Sequence, residues 1–201
     1  PLAPSEMCIR DSTNKVCFMR GYREQIKIQT NTSVAWMWRR LVFTTKTPGF
    51  RFDQNDFHVV DNLLVPANGM QRILNSPPND PTTNLFFDYI FKGTRNHDWN
   101  DPYYASLDTS RITPLLDRKV NIQSGNDDGV IRDFKDWIPF NKNLVYDDYE
   151  DGAVVAPGFF STLNKPGMGD CYIIDLIRCN SANEANLMQF SVAATLYWHE
   201  K

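Results

Sequence analysis

Two adjacent arginines, Arg39 and Arg40, stand inside the most apolar run of the chain, Val34–Phe43 (VAWMWRRLVF). Side chains alternate between the faces of a strand, so the two arginines fall on opposite faces. Each needs an anionic partner, because burying an unpaired charge is costly. The spacing favours a central strand whose arginines form salt bridges with Asp or Glu of neighbouring strands or extend to the end of the strand. The alternative is contact with nucleic-acid phosphates, with Trp36 and Trp38 stacking on the bases.

Basic residues recur before and after this run, and aromatic residues lie among them. Such a pattern offers an electrostatic track with stacking platforms, which binds single strands without reading their sequence. We therefore predict a basic-aromatic surface for nucleic acid. Its predicted residues are Arg20, Tyr22, Arg23, Lys27, Trp36, Trp38, Arg39, Arg40, Lys46 and Arg51.

The charge of the chain is distributed unevenly. The net charge is −3, yet residues 1–51 carry 9 basic and 3 acidic residues, a balance of +6. The remainder carries 12 basic and 21 acidic residues, a balance of −9, and the two parts sum to −3. One part of the molecule therefore suits a polyanion, and the other suits solvent or a cation. The alternative is that the asymmetry is solubility charge without a functional role.

No motif points to catalysis, a metal or a cofactor. The chain has no nucleophile elbow, no phosphate-binding glycine loop and no closely spaced pair of metal ligands. His58 lies near acidic residues, but nothing supplies a nucleophile. The acidic cluster Asp147–Asp151 could hold a hard cation, although a solvated outer loop is the favoured interpretation. We expect a protein that is not an enzyme and has no cofactor or metal site.

The four cysteines, Cys8, Cys17, Cys171 and Cys179, have no C-x-x-C spacing. Free and largely buried thiols are the favoured interpretation. Disulfides stay open as an alternative, since the first and last strands could lie side by side. No apolar run approaches the roughly 20 residues that span a bilayer, so we expect no membrane association.

The elements that must position these residues are strands, because helical periodicity is almost absent. Met188–His199 alternates strictly between apolar and polar residues, as a strand with one buried face does. Cys171–Cys179 is apolar on both faces, which predicts a central strand. Gly125–Gly129 predicts a hairpin turn. The other predicted strands are Val16–Thr30, Val34–Thr45, His58–Val65, Leu85–Lys92, Lys119–Ser124 and Val130–Ile138.

About eight strands with some long connections predict an all-β fold. We expect a single domain over residues 1–201, an eight-stranded antiparallel jelly-roll β-sandwich.

At this point the sequence resembles a known family. The run Cys17–Thr30, followed by Trp36–Arg40, resembles the coat proteins of genomoviruses, fungus-associated relatives of the plant geminiviruses. Trp137–Tyr146 is similar to a stretch common in these coat proteins. The terminal strand, with Tyr197 and Trp198, is similar to the end of these coat proteins. The order of these segments along most of the chain is what resembles the family.

The resemblance implies a jelly-roll subunit that self-assembles into a small icosahedral shell, single on the smallest lattice or twinned in geminate particles. It implies packaging of circular single-stranded DNA, in virions and in the host nucleus during assembly. A flexible basic N-terminal arm carrying a nuclear-import signal is also implied. The chain does not begin with Met, and we expect that arm to precede it. Host import or receptor proteins would be further partners.

Two other functions fit the residues. A lectin-like β-sandwich would hold a sugar on exposed Trp and Asp/Asn loops, and Trp99 within Asn96–Asp101 is the best support for it. A single-strand-binding protein that does not assemble would use the same basic-aromatic residues.

Overall fold

The computed structural model describes residues 16–50, 63–64, 71–72, 81–151, 154–181 and 183–200, and only the backbone of 63–64, 71–72, 81–84, 147–151 and 154–159. These residues form nine strands, one helix and a short 3-10 turn. In chain order they are β1 (Val16–Thr30), β2 (Trp36–Thr45), the 3-10 turn (Pro48–Phe50), β3 (Leu63–Leu64), β4 (Gln71–Arg72), α1 (Pro81–Ile90), β5 (Thr113–Ile122), β6 (Ile131–Asp151), β7 (Val154–Ser161), β8 (Asp170–Cys179) and β9 (Met188–Glu200).

The strands form two main antiparallel sheets, as the all-β prediction requires. One sheet has the order β7-β6-β1-β9 and the other has the order β5-β2-β8, with β3 and β4 as a separate pair. The two sheets pack face to face. Tyr22 of β1, Val42 of β2, Ile138 of β6 and Leu196 of β9 share one buried cluster between them. Burial of this apolar surface is the main source of stability for such a sandwich.

The alternation predicted for the last strand is confirmed. In β9 the side chains of Phe190, Val192 and Leu196 face the core, whereas Ser191 and Thr195 are exposed. In β1 the same pattern buries alternate residues over most of the strand. The two strands are antiparallel neighbours, so their exposed residues share one outward face.

A third layer covers the other side of the three-stranded sheet. Leu41 and Phe43 of β2 pack against Phe86 and Ile90 of α1 and against Trp99 in the loop that follows. Because its second face meets the four-stranded sheet, β2 is buried on both faces. The apolar character of Val34–Phe43 on both faces follows from this position.

One predicted strand is wrong. Leu85–Lys92 was expected as a strand because Phe, Tyr and Ile favour pleated surfaces, but residues 81–90 form helix α1. Pro81 stands at the first helical position, where its missing N–H costs nothing. Phe86 and Ile90 are four residues apart and lie on one helix face, which is buried. Tertiary packing therefore decided between two readings of the same apolar residues.

The predicted hairpin at Gly125–Gly129 is also wrong. The strands on either side, β5 and β6, belong to different sheets, so the turn carries the chain from one sheet to the other. Cys171–Cys179 was expected as a central strand, but among the described residues β8 lies at an edge. Its apolar character on both faces reflects layers above and below it, since Tyr172 and Ile173 pack on opposite sides.

Two further predictions fall wholly or partly outside the described residues. Of His58–Val65 only Leu63–Leu64 is described, and it is a strand. The backbone of Asp147–Asp151 belongs to β6, where an outer loop was expected, and its side chains lie outside the described part of the chain.

The crossover turn supplies the first testable prediction. Gly129 has a φ of 81°, and a Cβ there would collide with the Thr30 carbonyl oxygen. We expect Gly129→Ala to lower the free energy of unfolding by about 1–3 kcal/mol, because backbone strain adds to a clash. Gly125→Ala, in the same turn, is the matched control, since a Cβ there meets nothing within 4 Å. Urea unfolding of both variants checks this, and equal stabilities would contradict it.

Candidate nucleic-acid interface

The structure buries four of the ten predicted nucleic-acid residues and exposes three of them. Tyr22, Trp38, Arg39 and Arg40 are at most 1% exposed. Trp36 and Lys46 are half-buried, and Arg20, Arg23 and Lys27 are exposed. Arg51 lies outside the described residues.

Arg40 joins the two sheets in the interior. It donates hydrogen bonds to Glu24 of β1 at 2.5 Å and to both carboxylate oxygens of Asp175 of β8 at 2.8 Å. Burial alone would lower the pKa of Arg40, but the Asp175 and Glu24 carboxylates hold it above its ordinary value. Burial raises the pKa of Glu24 despite the attraction of Arg40. This arginine is therefore a structural link between sheets.

Arg39 fixes the outer layer to the three-stranded sheet. It makes a bidentate salt bridge with Asp117 of β5 at 2.8–2.9 Å. Its Nη1 also donates to the carbonyl oxygens of Pro102, Tyr103 and Ala105 at 2.6–3.1 Å. Five donors of one guanidinium can satisfy such a set of acceptors, which lysine could not do.

Tyr22 and Trp38 are core residues as well. Tyr22 belongs to the cluster between the sheets. The Trp38 indole N–H donates to Asp175 at 2.8 Å, and its ring packs edge-on against Phe134 at 5.0 Å. Arg118 lies over the same Trp38 ring. Neither Tyr22 nor Trp38 is at the surface.

The predicted surface therefore needs correction for its buried members. Salt bridges within the protein, the alternative favoured by the spacing, are what the structure shows for Arg39 and Arg40. Lys46 also has internal partners, because its ammonium donates to the carbonyl oxygens of residues 164–166 at 2.5–2.8 Å. Burial lowers the pKa of Lys46. Trp36 packs beside the cluster around Trp38.

The exposed members lie together on the outward face of the four-stranded sheet. Arg23 is opposite Trp137 of β6, Gln25 is opposite Lys135, and Lys27 is opposite Asp133. Directly opposite residues of antiparallel strands share a face. We call this surface the basic-aromatic face. Its defining residues are Arg20, Arg23, Lys27, Lys135, Trp137 and Tyr197.

Two exposed aromatic residues on this face were not among the predicted site residues. Trp137 is 51% exposed and Tyr197 is 41% exposed, and their ring centroids are 5.5 Å apart in an edge-to-face arrangement. Both stand beside Gly21, which pairs with Tyr197 of β9. A Cβ on Gly21 would lie 2.6 Å from the Trp137 ring, so the ring rests on bare backbone. A glycine inside an otherwise regular strand was the sequence signal for this close approach.

The charge of the face contrasts with that of the chain. Four cationic side chains lie on it, and the acidic residue at the paired positions given above is Asp133. Within the described part of the chain, Arg23, Lys27 and Lys135 form no salt bridge. In contrast, the described salt-bridged arginines near the core take up Glu24, Asp117, Asp136 and Asp175. These four acidic residues are therefore neutralised by arginines near the core. The basic-aromatic face stays positive although the net charge of the chain is negative.

The described cysteines are largely buried. Cys17 and Cys171 are buried and Cys179 is half-buried, and none of the three is in a disulfide. Burial raises the pKa of the Cys171 thiol, so this group is inert at neutral pH. The first and last strands do lie side by side.

The described helix has 10 residues and is too short to cross a bilayer. Comparison of the sequence with protein-family models and with curated proteins gave no match.

Proposed function

We propose that this chain is the shell-forming coat subunit of a small circular single-stranded DNA virus, similar to those of genomoviruses and geminiviruses. In this proposal many copies of a jelly-roll domain assemble into an icosahedral shell, isometric or geminate. The basic-aromatic face lines the interior and neutralises the phosphates of the genome. The protein would reside in virions and, during assembly, in the host nucleus, where import or receptor proteins are further partners.

The strand pairing supports the jelly-roll part of the proposal. The last strand, β9, lies beside the first, and β8 lies beside β2. This nested pairing is typical of a long antiparallel hairpin that has been rolled up, which is how a jelly roll arises. The turn that carries the chain from β5 to β6 between sheets suits the same topology.

The observation that carries the proposal is the basic-aromatic face. One sheet is covered on both sides, by the other sheet and by the layer around α1. The outward side of the four-stranded sheet remains exposed, and it presents four cations with two exposed rings. Such a surface suits the backbone and bases of a single strand.

The lectin-like alternative loses its main support. Trp99 is only 8% exposed, and its ring packs edge-on against Phe91 at 5.2 Å. It is therefore not a platform for a sugar. A single-strand-binding protein that does not assemble would use the same basic-aromatic face, and experiment must separate it from a coat protein.

Nuclease protection at two salt concentrations tests the proposal. We expect the purified full chain to hold nucleic acid that resists nuclease at low salt, because a closed shell excludes the enzyme. Raising the salt should release DNA before it dissociates the particles, since phosphate contacts are linked to counterions and apolar contacts are not. Bound DNA that nuclease digests freely at low salt would contradict the coat role and favour the non-assembling protein.

A further inference from the structure

We propose that Trp137 and Tyr197 form a stacking platform for unpaired bases, which makes the basic-aromatic face select single strands over duplex. This inference rests on the proposed binding of DNA by that face and names the groups of the DNA that it takes. Neither residue is needed to fill the core. The platform is therefore available to a ligand in a way that Tyr22 and Trp38 are not.

The neighbours of the two rings hold them in position. Gly21 of β1 has no side chain to stand between Trp137 of β6 and Tyr197 of β9, and the Trp137 ring occupies that space. Tyr197 meets the ring edge-on, with an interplanar angle of 65°. Two rings braced against each other and against backbone lose little further freedom when a base stacks on them, which favours binding.

Two arginines lie beside the rings. Arg20 lies at the same end of the face, and its guanidinium donates to the Asn141 side chain at 2.8 Å, which orients it. Arg23 lies directly opposite Trp137. A phosphate bound by either arginine would place its base within reach of the platform. A shallow concavity of about 430 Å³ is lined there by Arg20, Trp137, Leu196, Tyr197, Trp198 and His199.

The basic-aromatic face continues along β1 away from the rings, as far as Lys27. From Gly21 to Lys27 the strand rises on the order of 20 Å, at about 3.4 Å per residue. A second concavity, of about 530 Å³, lies at the Lys27 end and is lined by Lys135 and Ser191 among others. Cations at both ends and rings at one end define a path for several nucleotides. Small or polar residues of β9, such as Ser191, Ala193 and Thr195, keep the path unobstructed.

An unpaired strand fits the basic-aromatic face better than a duplex or a protein partner does. In a duplex each base is paired and stacked within the helix, so its phosphates could reach the cations but its bases could not reach the platform. A second copy of the chain docked about a two-fold axis would set these cations against each other. An apolar partner would leave the cations without counter-charges. An unpaired strand satisfies both the cations and the rings.

The test compares Trp137→Leu and Tyr197→Leu with the wild type by fluorescence anisotropy. The probes are a thymidine oligonucleotide, an abasic strand of the same length and a duplex. We expect each variant to lose roughly 5- to 150-fold in affinity for the thymidine strand, the range for one stacked base. Affinity for the abasic strand and the duplex should be unchanged. Trp137→Phe should retain most of the affinity, because a ring is kept.

Tyr104→Leu is the matched control, since Tyr104 is 66% exposed beside Lys119 but belongs to the loop over the other sheet. It should bind all three probes as the wild type does. Equal affinity of Trp137→Leu and wild type for the thymidine strand would overturn the inference. An equal loss on the abasic strand would overturn it too, because stacking would then not be the cause.

Failure of the inference and failure of the coat role give different results. Closed DNA-filled shells whose Trp137→Leu variant keeps full affinity for thymidine strands overturn the platform alone. Absence of shells, together with a loss in Trp137→Leu that is confined to strands with bases, supports the platform and overturns the coat role.

Discussion

Replacing Arg40 with methionine is expected to lower the free energy of unfolding by about 3–5 kcal/mol. Methionine keeps much of the volume but removes the charge that Glu24 and Asp175 share. Glu24 is 1% exposed, and Arg40 is the cation that pairs with it in the described structure. The variant therefore leaves carboxylates uncompensated at the junction of the two sheets, and this desolvation cost is far larger than that of losing a surface ion pair.

Urea unfolding of the full chain measures the effect, with Arg23→Met as the matched control. Arg23 is exposed on the outward face of β1, and its loss should change the unfolding free energy by no more than about 0.5 kcal/mol. The triple variant Arg40→Met, Glu24→Gln, Asp175→Asn should recover part of the stability, because no buried charge is then left alone. If Arg40→Met unfolds within about 1 kcal/mol of the wild type, the link between sheets is not what stabilises the sandwich.

Neutralising the basic-aromatic face is expected to weaken single-strand binding by about 100-fold at 0.1 M salt. The variant carries Arg20→Gln, Arg23→Gln and Lys27→Gln. Each phosphate contact on a single strand contributes about 0.7 to the slope of log affinity against log salt, so three contacts change it by about 2. A change of about 2 in this slope corresponds, at 0.1 M salt relative to 1 M, to a loss of about 100-fold in affinity. Titrations at several salt concentrations measure both quantities.

The control for this variant has the same change in net charge at sites away from the face. It carries Lys92→Gln, Lys119→Gln and Lys165→Gln, at three exposed lysines in the loop after α1, in β5 and in the turn before β8. Its salt slope should match that of the wild type. Equal losses in the two variants would mean that net charge, and not this face, governs binding.

Strands with a simple alternation could be predicted from the sequence. Val16–Thr30 was predicted with its observed bounds, and Met188–His199 was predicted to within one residue. In both, one face meets the core and the other meets solvent, so burial repeats every second residue. An alternating sequence predicts a strand well where burial alternates regularly along it, as it does in β1 and β9.

The sequence could not predict which strands share a sheet. The Gly125–Gly129 turn satisfies the requirements of a hairpin, yet it joins strands of different sheets, because pairing depends on partners far away in the chain. Helix α1 was missed for a related reason. Its Phe and Ile residues suit a strand or a helix, and the surface of β2 that they cover decides between the two.

The site could be predicted only in part. Arg20, Arg23 and Lys27 were found because basic residues recur along this strand with aromatic residues among them. They are three and four residues apart, so alternation alone does not place them on one face. Arg39 and Arg40 carry the same charge, but their acidic partners come from β1, β5 and β8, which only the fold brings together. Trp137 and Tyr197 were not selected, because their exposed ring pair forms only where the fold brings β6 and β9 together beside Gly21.

Electron microscopy of the purified full chain, with the ultraviolet absorbance ratio of nucleic acid to protein read on the same sample, tests the coat role most directly. We expect uniform closed particles, isometric or twinned, with an absorbance ratio raised by packaged DNA. Dispersed monomers or small oligomers, with or without bound DNA, would contradict it.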